Sequence, residues 1–127
     1  MHYLKITVFA LLFCAACSNN ATSDKSAGSY QDLNVTEFKA QMSDPNVVIL
    51  DVRTPGEIAE GKIPNALEID IQSPDFKQRI EALDKDKTYL VYCKKGGRSA
   101  RACSAMQELG FGELYNLEGG FTAFSAE

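Results

Sequence analysis

The segment Cys93-Lys94-Lys95-Gly96-Gly97-Arg98-Ser99 follows the apolar run Tyr89-Leu90-Val91-Tyr92. A cysteine at the end of a strand therefore faces a turn in which two glycines let several backbone N–H groups point inward. The residues behind it, Ser99 to Leu109, have a helical pattern, and a helix N-terminus adds partial positive charge. Each of these features stabilises a thiolate over a thiol. Thiolates at helix N-termini beside Lys or Arg have pKa values of about 3.5 to 7.5, against roughly 8.5 for a free thiol. Cys93 is the candidate nucleophile, with the amides from Lys94 to Ser99 as its anion cradle.

The sole histidine of the 127 residues is His2. It lies in an N-terminal segment with the layout of an export signal, so the mature domain is expected to have none. Cys-His and Ser-His nucleophile pairs then drop out, as do zinc sites with histidine ligands. Activation of Cys93 must come from amides, the helix dipole and nearby cations. No metal and no cofactor are expected.

Residues 1–16 carry one positive residue, Lys5, an apolar stretch from Ile6 to Phe13, and small residues Ala15-Ala16 before Cys17. This is the arrangement of a secretory signal. The apolar run is shorter than the roughly 18 residues that span a bilayer. Cys17 after two alanines resembles the lipobox of bacterial lipoproteins, which implies that Cys17 becomes an acylated N-terminus. Cys14 stands where that family usually has an aliphatic residue. The expectation is a signal peptide over residues 1–16 and a polar tether over 17–29. The protein would then be lipid-anchored in a bacterial cell envelope, on the extracytoplasmic, periplasmic side. Ordinary secretion is the alternative.

Of four cysteines, Cys14 would leave with the signal and Cys17 would be acylated, so the domain keeps Cys93 and Cys103. Two thiols make no disulfide scaffold. Residues 30–127 must stand on a hydrophobic core, and a chain of this length suffices for one small domain. Without residues 1–16 the chain has 12 basic and 17 acidic residues, a net charge of −5. That balance speaks against nucleic acid as a partner.

The elements that must position Cys93 alternate in type. Asn34 and Glu37 have capping-box spacing and open a helix to about Met42. Val47 to Leu50 is a β-branched run suited to a strand buried on both faces. Thr54-Pro55-Gly56-Glu57 starts a second helix that Gly61 ends. Ala66 to Ile69 reads as a strand, and Ser73-Pro74 opens a helix with Phe76, Ile80 and Leu83 on one face. Tyr89 to Tyr92 is the next strand, Ser99 to Leu109 a helix closed by Gly110, and Leu114 to Leu117 the last strand. Such alternation predicts an α/β fold with a parallel sheet covered on both faces. Ligands of such sheets bind at the strands' carboxyl ends. Asp51-Val52-Arg53, Cys93 and Glu118-Gly119-Gly120-Phe121 all fall there.

Four motifs together carry a resemblance. They are Asp51-Val52-Arg53-Thr54-Pro55-Gly56-Glu57, Glu60-Gly61-Lys62-Ile63-Pro64-Asn65-Ala66, the Cys93 loop, and Gly119-Gly120-Phe121. In order and spacing they resemble a single-domain rhodanese, of the sulfurtransferase family. The resemblance implies a three-layer α/β/α fold whose mainly parallel sheet has four to five strands. It implies that Cys93 takes a sulfane sulfur from a small anionic donor, becomes a persulfide, and passes the sulfur to cyanide or a thiol. Lys62 and Asn65 replace the histidine and second glycine usual in the second motif. Phe124 takes the place of a later aromatic residue.

Lys94 and Lys95 read as outward and substrate-facing, with Gly96, Gly97, Arg98 and Ser99 completing the binding loop. Arg98 could hold loop carbonyls or pair with Asp51. Arg53 could lie near the pocket mouth or form a salt bridge within its own loop. Glu57 reads as a helix cap, and Cys103 as a packing residue sharing a helix face with Met106 and Leu109; a resolving thiol is the other option there. Two rival activities remain. Cysteine-dependent phosphatases place five residues between Cys and Arg, whereas four separate Cys93 from Arg98. A persulfide carrier or redox partner without small-molecule turnover would use the same loop.

Overall fold

The computed structural model describes residues 29–127. The expected signal peptide, Cys17 and almost all of the tether lie outside the described residues.

Among the described residues five strands and five helices alternate. They are β1 (Gln31–Leu33), α1 (Val35–Gln41), β2 (Val47–Asp51), α2 (Pro55–Ala59), β3 (Leu67–Glu68), α3 (Phe76–Glu81), β4 (Thr88–Tyr92), α4 (Gly97–Glu108), β5 (Glu113–Leu117) and α5 (Gly120–Ala126). The strands form one sheet in the order β1-β5-β4-β2-β3. Every pairing is parallel. This is an α/β fold on a fully parallel sheet of five strands, the upper number that the resemblance implies.

Local chemistry explains most boundaries. Asn34 and Glu37 form a full capping box: the Glu37 N–H donates to Asn34 Oδ1 at 2.9 Å and the Asn34 N–H to Glu37 Oε2 at 3.0 Å. Thr54 caps α2 ahead of Pro55. Three expectations shift. The third helix begins at Phe76, after Asp75, rather than at Ser73-Pro74, and Leu83 packs on the core from beyond its end. The fourth begins at Gly97, two residues before Ser99. Strand β1 was not anticipated, because three residues at a sheet edge are too short for a periodic signal.

Strand alternation divides the core between the two faces of the sheet. Tyr89, Val91 and Cys93 point to one side, where Ile80 of α3 and Ala102, Cys103 and Met106 of α4 cover them. Leu90 and Tyr92 point to the other, against Phe38 of α1 and Phe121 and Phe124 of α5. Phe124 lies edge-on to Phe38 and stacks on Phe121. All residues of β4, the central strand, are buried. The residue at its carboxyl end is therefore anchored on both sides before the chain turns out to solvent.

Candidate active site

Because all strands are parallel, the carboxyl ends of β2, β4 and β5 share one edge of the sheet. Cys93 leaves β4 there and is 1% exposed. The Gly96 N–H donates to its Sγ at 3.1 Å, and the Ser99 hydroxyl lies 3.3 Å from the same sulfur. That hydroxyl is also 3.1 Å from the Gly96 carbonyl oxygen, so its single proton can turn toward sulfur when the thiol ionises. Burial pushes the Cys93 thiol up. The Ser99 hydroxyl and the amides of Ser99, Gly96 and Lys95 outweigh it and leave the thiol below its ordinary value. Among the described residues there is no histidine, and the hydrogen bonds to the sulfur are what favour the anion.

The loop holds its amides inward because its carbonyls are tied outward. The Phe121 N–H donates to Cys93 O at 2.8 Å and the Thr122 N–H to Lys94 O at 3.0 Å. Gly96 O accepts from the Ala100 N–H at 3.1 Å and from Asn116 Nδ2 at 3.3 Å. The first turn of α5 thus clamps the loop from behind. Contact is close enough to require a glycine: a Cβ on Gly120, whose φ is +59°, would stand 2.5 Å from the Lys94 carbonyl. Of the two loop glycines, only Gly96 has positive φ, at +104°. Gly97 is the first residue of α4.

The predicted site residues separate into two groups. Cys93, Lys94, Lys95, Gly97 and Arg98 line one cavity of about 440 Å³, together with Arg101. Gly96 and Ser99 are buried beneath it, facing the sulfur. Lys94 and Lys95 are exposed. Asp51 and Arg53 are not among the residues lining this cavity. Arg53 lines a separate one, with Ile58, Asp70 and Arg79.

Arg98 pairs with neither the loop carbonyls nor Asp51. Its Nη1 and Nη2 donate to Glu57 Oε1 and Oε2 at 2.9 and 2.8 Å, a bidentate pair from α4 to α2. Arg98 holds the Glu57 carboxyl below the usual carboxylate range. Glu57 is thus a partner of the loop as well as part of a helix cap. Asp51 takes Arg53 instead: Nε donates to Oδ1 at 3.0 Å and Nη2 to Oδ2 at 2.8 Å. The salt bridge within that loop, not the pocket mouth, is where Arg53 lies. Tyr92 donates its hydroxyl to Asp51, and Arg53 donates to Gly61 O at 2.8 Å. The guanidinium lies over the ring of Phe121, 4.3 Å from its centroid. This cluster is a buried frame beside the site.

Asn116, Arg101 and Tyr92 were missed as contributors. Asn116 had a signal: an amide inside the apolar run Leu114 to Leu117. It also donates to Asp32 Oδ1 at 2.8 Å, linking β1 to the loop. Cys103 is fully buried, and burial, then the Asp32 charge, pushes its thiol up to about 12. A thiol held so firmly protonated suits packing.

A thiolate cradled by amides at the mouth of a parallel α/β sheet is the arrangement of a rhodanese, and comparison with known proteins agrees. Residues 34–127 match the model of the rhodanese-like domain. The chain belongs to that family. It is 38% identical over 80 residues to a sulfurtransferase of Allochromatium vinosum, covering 63% of this chain and 73% of the relative. It is also 38% identical over 98 residues to a tRNA uridine(34) hydroxylase of Cytophaga hutchinsonii, covering 75% of this chain but only 31% of that protein. Among solved structures, a rhodanese-related protein of Thermoplasma volcanium superposes with a TM-score of 0.68 at 30% identity, covering 76% of this chain and 92% of that one.

Proposed function

We propose that this protein is a thiosulfate-type sulfurtransferase whose carrier is Cys93. The supporting observation is the sulfur of Cys93 itself, within hydrogen-bond reach of the Gly96 amide and the Ser99 hydroxyl under a cavity edged by Lys94 and Lys95. The Cys93 thiolate attacks the outer sulfur of the donor, forming an Sγ–S bond. The donor's S–S bond breaks, and its electron pair departs with sulfite. The persulfide anion is then held by the same amides. A cyanide or thiolate acceptor attacks the terminal sulfur and returns the electron pair of the broken Sγ–S bond to Cys93. No outside oxidant or reductant is consumed when cyanide accepts.

Arg98 weighs against a phosphatase. Both its terminal nitrogens are engaged by Glu57, so its fork is not free for a phosphate ester. The test is to incubate the protein with thiosulfate and weigh the Cys93 peptide. A gain of one sulfur atom, absent in Cys93→Ser, is expected, with thiocyanate formed on adding cyanide. Sulfur loading without cyanide turnover would make the protein a carrier. No loading from any sulfane donor would sink both readings.

We also propose a location, from the lipobox-like Cys17: the cell envelope, by a lipid anchor. Cys17→Ser should then move the protein out of the membrane fraction; unchanged membrane association would reject the anchor.

A further inference from the structure

Five cationic or reactive side chains line the Cys93 cavity, those of Cys93, Lys94, Lys95, Arg98 and Arg101, and their charges are not equivalent. Arg98 is matched by Glu57 through two short hydrogen bonds, so it brings no net charge to a ligand. Among the described residues, Lys94, Lys95 and Arg101 have no ion pair. All three line the cavity together with the nucleophile. Arg101 lies three residues after Arg98 and four after Gly97 on α4, so the three share one helix face. A Cβ on Gly97 would meet nothing within 4 Å, so the cavity that Gly97 and Arg101 both line is open at that point. Arg101 is itself exposed, free to reach a ligand above the sulfur.

The surroundings sharpen this charge. The full chain carries a net charge of −4, yet this cavity has three unmatched cations. Fields from a cluster of one sign focus in a concave site and select ligands of the opposite sign. A neutral or singly charged donor needs less compensation than three cations offer.

We infer that Arg101, with Lys94 and Lys95, forms an anion subsite that selects sulfur donors whose leaving group departs as a dianion. This rests on the sulfurtransferase reading of Cys93. With thiosulfate, the Cys93 thiolate forms the Sγ–S bond, the donor S–S bond breaks, and sulfite leaves with the electron pair and two negative charges. With the methanethiosulfonate anion the same bonds form and break, but methanesulfinate leaves with one. The two donors therefore report the charge of the leaving group with the chemistry held constant. Arg101 binds the departing oxygens; it does not tune the thiol.

The experiment compares kcat/KM for thiosulfate and for methanethiosulfonate in the wild type, Arg101→Gln, Arg101→Lys and Lys77→Gln. Lys77 has a side chain 79% exposed on α3 and controls for net charge. Glutamine is a good helix former, so the exposed site tolerates it. Arg101→Gln should lower thiosulfate kcat/KM about tenfold and methanethiosulfonate by about threefold or less, a difference of one charge–charge interaction in a partly solvated site. Arg101→Lys should restore most of the loss, and the thiosulfate rate should lose part of its salt dependence in Arg101→Gln. Equal losses on both donors, no loss, or the same loss in Lys77→Gln would each overturn the subsite. A wild type inactive on both donors would instead overturn the sulfurtransferase reading on which it stands.

Discussion

Hydrogen bonds to the Cys93 sulfur favour its anion, and Ser99 supplies the one that comes from a side chain. The thiol sits below its ordinary value because donors outweigh burial. Removing the hydroxyl takes away a stabiliser of the charged form, so the folded pKa rises. In Ser99→Ala the pH midpoint of Cys93 alkylation by iodoacetamide should move upward, with the rate reduced below that midpoint and unchanged well above it. A midpoint that stays in place would leave the backbone amides as the whole cause. Cys93 was legible from the chain because its signals are adjacent: strand, glycines, cations and helix start within a dozen residues. Asn116 stood out only as an amide in an apolar run; its role was not legible, because its partner Gly96 is 20 positions away and meets it only after β4 and β5 pair.

At the scale of elements, α5 sets the loop. In its first turn the N–H groups of Phe121 and Thr122 donate to the carbonyls of Cys93 and Lys94, and Gly120 is the point of closest approach. Gly120→Ala places a methyl group against the Lys94 carbonyl at positive φ and should cost about 2 kcal/mol or more in urea unfolding. Sulfur loading should fall with it, since the clash displaces the cradle. Gly97→Ala is the contrast. That position is helical and open, so the substitution should be neutral or stabilise by up to about 1 kcal/mol. Equal destabilisation by the two would show that α5 does not brace the loop. The Gly119-Gly120-Phe121 motif was visible in the sequence as a polar cluster at a strand end. Its role as a clamp was not, because backbone hydrogen bonding between two loops leaves no residue pattern.

For the whole molecule, the Asp51–Arg53–Tyr92 cluster joins three stretches of chain: the end of β2, the segment around Gly61 and Ile63, and the end of β4. Asp51 and Arg53 are 0% and 2% exposed. Breaking such a pair from one side leaves a buried, uncompensated charge. Asp51→Ala should therefore cost about 3–5 kcal/mol by urea unfolding, and Asp51→Ala with Arg53→Met distinctly less. If the double variant is as unstable as the single, the pair's hydrogen bonds rather than its charge hold the frame.

The sequence by itself determined where Cys93 and its loop stand and the alternating parallel fold, because these depend on short-range pattern: apolar runs, caps and turn residues close in the chain. The tertiary structure alone decided which carboxylate takes which arginine. Arg53 turned to Asp51, two residues away, and Arg98 to Glu57 across 41 positions, leaving Lys94, Lys95 and Arg101 as the unmatched charges at the sulfur. Ion pairing follows distance in space, and that distance exists only once the strands' carboxyl ends have been gathered on one edge of the sheet.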